Sequence, residues 1–223
     1  MIRASKDIGL ENNFTGLNNS RQTSVAIERI NDVASHMLSQ YNDCKNAKSN
    51  AMEIFTSLYE SMKQVADYFK QVFAARGVPT DEIYCREDEA TQSIMLSVLW
   101  QKVGFTLKTN DRPLALEPKS PSDKKNITYR ILAIKGDCID IIQKNPENYT
   151  NELLKAEVAS LYVPVNKNEP CEIRFKYLSN ERPFINQQLA ASEFFLNVVA
   201  YTCGGGSFHK ETEYSTDEYW NNL

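Results

Sequence analysis

The chain has 223 residues, 42% of them apolar and 24% charged, with a formal charge of -4. These values fit a globular protein with a substantial core. They give no electrostatic reason to expect nucleic acid as a partner, because Lys and Arg are scattered and the only cluster, Lys119, Lys124 and Lys125, is short. Eight glycines and eight prolines favour a helix-rich chain over a turn-rich β-sandwich.

Residues 1–22 are rich in Asn, Ser and Thr, lack hydrophobic periodicity and hold no apolar secretory h-region. They read as a flexible leader, with an unstructured export signal for a specialised bacterial secretion machine as the sharper alternative. The longest strongly apolar stretch, 194–201, contains Asn197 and is too short to span a bilayer. The expected location is therefore the cytoplasm. Five cysteines, at 44, 85, 138, 171 and 203, are odd in number and include no C-x-x-C pair. That pattern indicates reduced thiols rather than a disulfide framework or a zinc site.

Residues 24–76 carry the dominant signal. Ile27, Ile30, Ala34, Met37, Tyr41, Cys44, Lys48, Ala51, Phe55, Leu58, Met62, Val65, Phe69 and Val72 recur in steps of three and four. Only Lys48 interrupts the apolar character of this seam, which predicts a coiled coil or a long packed helix, roughly 80 Å long if continuous. Thr23 or Ser24 can cap its start, while Arg76, Gly77 and Pro79 mark its end. Asn42, Asp43, Asn46, Ser49 and Asn50 weaken the middle, and Asn50 with Glu53 resembles a capping box. A helical hairpin, 24–41 and 51–76, is thus the alternative to one helix. After residue 50, Ile54, Tyr59, Ala66 and Phe73 widen the stripe, as expected of a helix docked on a globular body.

Further along, the spacing predicts a helix over 88–103, ended by Gly104, with Ile94, Met95, Leu96, Val98, Leu99 and Trp100 apolar around the circumference. Phe105 and Leu107, then Leu114 and Leu116, predict a β-hairpin about residues 109–113. Residues 120–123 form a helix start, and Ile127, Ile131, Ile134, Cys138 and Ile141 continue at helical spacing. Ile127, Tyr129, Ile131 and Ala133 also alternate as a strand does, so helix is the first choice and strand the second. Residues 145–147 start a further helix through Leu161. Residues 162–165 and 172–178 read as a second hairpin, and Pro183 opens a last helix ending near Gly204. The expected fold is α+β and predominantly helical: a long N-terminal coiled-coil-like helix or hairpin joined to a compact domain with small β-hairpins. Its divisions are leader 1–22, long helix 23–77, compact domain 78–206 and acidic aromatic tail 207–223.

Two constellations hint at chemistry. Cys203, at a helix end beside three glycines and His209, suggests a nucleophile and its base. Against it, a helix C-terminus raises a thiol pKa, and glycine there has a sufficient role as a cap. Asp111, Glu117 and Lys119 imitate the carboxylate pair and lysine of a metal-dependent nuclease, but Pro118 is awkward in a paired strand. His36 falls on an outer heptad position; with His209 the only other histidine, no His-based metal site can be assembled. Tyr214, Tyr219 and Trp220 are candidate anchors for a partner protein. No nucleotide-loop or serine-hydrolase string occurs, and no cofactor is expected. The favoured reading is a non-enzymatic assembly protein that forms a homodimer through Ile27, Ile30, Met37, Tyr41 and Lys48. An enzyme built on either constellation and a secreted factor are the alternatives.

Overall fold

The computed structural model of the protein describes residues 20–109, 114–115, 127–176 and 184–203. The chain divides into two compact units, one through Asn42 and one from Asp43 onward. A single helix, α1 (Ser20–Ala74), runs through the boundary without a turn at 42–50. Its 55 residues include no Gly or Pro, so nothing in the weak middle blocks the backbone ladder. Asn50 does not restart a helix. Its buried side chain donates from Nδ2 to the carbonyls of Pro164 (3.1 Å) and Val165 (2.9 Å). The far end closes as its sequence predicts. Gly77 adopts φ +71, its N–H donates to Ala74 O, and the Val78 N–H donates to Phe73 O, the paired bonds of a Schellman cap.

The second unit is built on one antiparallel sheet. Its strands are β1 (Ile83–Asp88), β2 (Ser93–Val98), β3 (Gln101–Thr106), β4 (Leu114–Ala115), β5 (Ile127–Lys135), β6 (Glu157–Pro164), β7 (Cys171–Phe175) and β8 (Phe184–Ile185). Seven pair in the order β1-β2-β3-β5-β6-β7-β8, and β4 pairs with the start of β5. Helices α2 (Cys138–Lys144) and α3 (Tyr149–Lys155) lie between β5 and β6 in sequence, and α4 (Ala190–Cys203) follows β8.

Register explains how this sheet is covered. Residues directly paired across strands share a face, so Leu96, Val103, Ala133 and their neighbours Phe105, Ile131, Leu161 and Ile173 lie on one side. This face forms the main core with Ala51, Phe55, Leu58, Met62 and Ala66 of α1 and with Phe194, Phe195 and Val198 of α4. Phe105 meets the Phe194 ring edge-on at 5.7 Å. On the opposite face Met95, Leu132 and Ile134 form a smaller core with Cys138, Ile139, Ile142 and Leu153 from α2 and α3.

The predominantly helical reading with small hairpins is therefore corrected. The part after α1 is organised by a broad sheet. Residues 88–103 include β2 and the first half of β3 rather than a helix. Ile94 and Leu96 enter the main core while Met95 enters the smaller one, so both faces of β2 are apolar and helix-like in pattern. Leu99 and Trp100 make the turn between the two strands, and Leu99 takes φ +53 there. Gly104 does not end a helix; it sits inside β3 where α2 begins against the sheet. Residues 127–135 take the strand alternative, and helix begins only at Cys138.

The expected hairpin of 105–107 with 114–116 is absent: Leu114 and Ala115 pair with Thr128 and Ile127 of β5. The helix expected from 145 to 161 is short, and Val158 and Leu161 belong to β6. The hairpin about residues 166–170 is present, with Tyr162 opposite Glu172. Phe184 and Ile185 form β8 rather than opening the last helix, which starts at Ala190. No described helix is long and apolar enough to cross a membrane.

Candidate interaction surface

Between Tyr41 and Ala47, α1 changes from an uncovered helix to a packed one. From Ala47 to Ala66 its buried residues fall at 47, 50, 51, 54, 55, 58, 62 and 66, the spacing of one face pressed on the sheet. Among the described residues of the first unit the large apolar side chains are all open to water. Ile27 is 40% exposed, Ile30 52%, Val33 59%, Leu38 61%, Met37 63% and Tyr41 64%. At about 100° per residue they fill one arc of about 140°. Glu28, Arg29, Asp32, Ser35, His36 and Ser39 occupy the rest of the circumference and are exposed as well.

The heptad phase is continuous, but the face it marks is not the same throughout. A straight α-helix drifts by about 20° per heptad against a seven-residue repeat. Three heptads separate the middle of the open seam from the middle of the packed face, so the apolar arc has rotated. Lys48 shows the consequence. It stands at a core heptad position yet is exposed, while Ala47 and Asn50 beside it are buried.

Sequence reasoning placed Ile27, Ile30, Met37, Tyr41 and Lys48 on this surface, and the structure leaves each of them exposed. It missed Val33 and Leu38, which flank the seam and are just as open. Their signal was available: both are large apolar residues at the heptad positions next to the core pair, where a solvated helix carries charge.

The chemical candidates are not brought together among the described residues. Asp111, Glu117, Lys119, His209, Tyr214, Tyr219 and Trp220 lie outside them. Cys203 ends α4, and its side chain lies outside them too. The thiols that are described are poor nucleophiles. Burial raises Cys85 to about 11 and both Cys138 and Cys171 to about 12, and burial followed by the charge of Asp43 raises Cys44. The Cys138 thiol is further occupied, donating to Ile94 O at 3.3 Å. No group of three or more His, Cys, Asp or Glu among the described residues could hold a metal ion.

Among the described residues a charged cluster joins α2 to β1. Arg86 Nη2 lies 3.0 Å from Asp140 Oδ1 and 3.6 Å from Asp137 Oδ1, and Lys144 reaches Asp140 Oδ2 at 2.9 Å. Asp137 caps α2, accepting from the Asp140 N–H at 3.1 Å. Hydrogen bonds from Lys144 and Arg86 hold the Asp140 carboxyl below its ordinary value. The network ties α2 to β1 and, through Lys102 Nζ at 3.9 Å from Asp137 Oδ2, to β3. Among the described residues the longest run of apolar side chains left uncovered is the open seam of α1, whereas Trp100, Tyr68 and Leu189 are exposed at separate places in the sequence. No family model, no curated protein and no solved structure matches this chain, so that seam carries the functional argument alone.

Proposed function

We propose that the chain is a non-enzymatic assembly protein that associates with a second copy of itself through residues 27–41 of α1. The observation that carries this reading is the row of six large apolar side chains, each between 40% and 64% exposed. At about 200 Å² for a large side chain, they present roughly 680 Å² of apolar surface per chain. That lies just above the largest patch found on ordinary monomers, which is on the order of 300–600 Å² and commonly functional.

A second copy is the occupant that the seam itself supports. In a two-chain contact Ile27, Ile30, Met37 and Tyr41 bury about 900 Å² in total, the range of weak, concentration-dependent association, since stable specific interfaces begin at about 1,200 Å². The positions that flank the core pair between 26 and 42 are Ala26, Asn31, Val33, Leu38 and Gln40, with no charge among them. Two identical helices therefore meet without like-charge repulsion. Ile27, Ile30, Met37 and Tyr41 form the contact, and Lys48 ends it, because a second ammonium opposite the first restricts register. The minimal assembly is a homodimer. The cytoplasm is the compartment this reading assigns, in keeping with the free thiols at Cys44, Cys85, Cys138 and Cys171.

Sedimentation velocity on the full chain and on the double variant Ile30→Asp/Met37→Asp tests the proposal. The wild type is expected to sediment faster as concentration rises, and the variant as a single chain with its thermal transition unchanged. Equal, concentration-independent behaviour of the two proteins would refute it.

A further inference from the structure

The seam is too wide for two helices, and we infer that its full occupant is a second pair, giving a four-helix bundle of four copies. This rests on the self-association proposed above and specifies its partner. In a two-stranded coiled coil the core consists of the a and d positions, here Ile27, Ala34 and Tyr41 with Ile30, Met37 and Cys44. The neighbouring e and g positions stay at the solvated rim and usually carry Glu or Lys. In this chain the central rim positions are Val33 and Leu38, 59% and 61% exposed, and the rim holds no charge before Lys45. A two-chain assembly would leave both side chains in water.

An apolar arc of about 140° matches the core-facing side of a bundle helix, which takes a rim position into the core as well as the a/d pair. Val33 and Leu38 lie on opposite flanks of the arc, so each can face a different neighbour. Four helices with dihedral symmetry, a dimer of dimers, supply two neighbours to every helix and repeat each contact. Lys45 and Lys48 then mark where the bundle stops, since both are exposed and their ammonium groups could not be buried there unpaired.

Light scattering coupled to size exclusion, on the full chain and on Val33→Gln/Leu38→Gln, separates the possibilities. We expect the wild type to approach four chain masses with rising concentration and the double variant to stop at two. Glutamine keeps helix propensity at both positions, and an unchanged circular dichroism melt confirms that the variant folds. A wild type that saturates at two chain masses overturns the four-copy bundle and leaves self-association standing. A wild type of one chain mass overturns both. A variant that still reaches four also overturns the inference, because Val33 and Leu38 would then not form the second contact.

Discussion

Gly104 shows how tightly a single residue can constrain this fold. A Cβ built there would lie 2.7 Å from Cys138 Sγ and 3.0 Å from the Cys138 backbone nitrogen. Rotating the sulfur away does not relieve the backbone contact, because Asp137 and its hydrogen bond from the Asp140 N–H fix the start of the helix. Gly104→Ala should cost about 1–3 kcal/mol, the usual range for overpacking, seen as a lower urea midpoint. An unchanged midpoint would mean that α2 can shift. The buried thiols give the second residue-scale prediction. Their ordinary value is 9.0, and burial raises Cys138 and Cys171 to about 12 in the fold. A raised value means that the folded state holds the proton longer, so this contribution is complete below about pH 9 and is lost as pH climbs toward 12. The melting temperature should fall above pH 9, and Cys171→Ala should make that fall shallower. An identical slope in the variant would assign the alkaline transition to other groups.

At the scale of elements, α1 is held to the sheet by more than its apolar face. Asn50 bridges the helix to the start of the β6–β7 turn through two carbonyls, and Glu53 meets Lys167 in the same turn at 2.6 Å. The ion pair is exposed on both sides and contributes little. Asn50 is buried, so Asn50→Ala should destabilise the protein by about 1–3 kcal/mol, read from the denaturant midpoint. Glu53→Gln should leave the midpoint in place. Equal effects of the two would contradict this division of roles.

The elements also differ in how well the sequence announces them. The long helix is legible because 55 residues without Gly or Pro repeat one period, and Gly77 and Pro79 punctuate its end. The β6–β7 hairpin is legible because a polar turn separates two short apolar runs. Strand β2 is not, since a strand covered on both faces loses its alternation and reads like a buried helix. The turn after it hides as well: Leu99 adopts a left-handed backbone where glycine or asparagine would have signalled a hairpin. Strand β5 carried both patterns, and its β-branched residues Ile127, Thr128, Ile131 and Ile134 were the better guide. Of the candidate site, the a and d residues were legible from period alone. Val33 and Leu38 carry their signal at the flanking heptad positions, and the structure adds that both are exposed.

For the molecule as a whole, the two units use one repeat for different ends. In the second unit, α1 and α4 cover the apolar face of the sheet, and Phe105, Phe194 and Phe195 are fully buried there. Phe194→Ala should lower stability by about 3–5 kcal/mol without altering the assembly state, because the seam residues lie elsewhere on the chain. In the first unit the same period leaves its apolar side chains in water, a costly arrangement unless another surface meets them. Self-association is the central claim, and the mass of the full-length protein in solution tests it most directly. Multi-angle light scattering at two concentrations should give a multiple of the 25.5 kDa chain mass, rising with concentration and reduced to one chain by Ile30→Asp/Met37→Asp. A mass of 25.5 kDa at both concentrations would contradict the account.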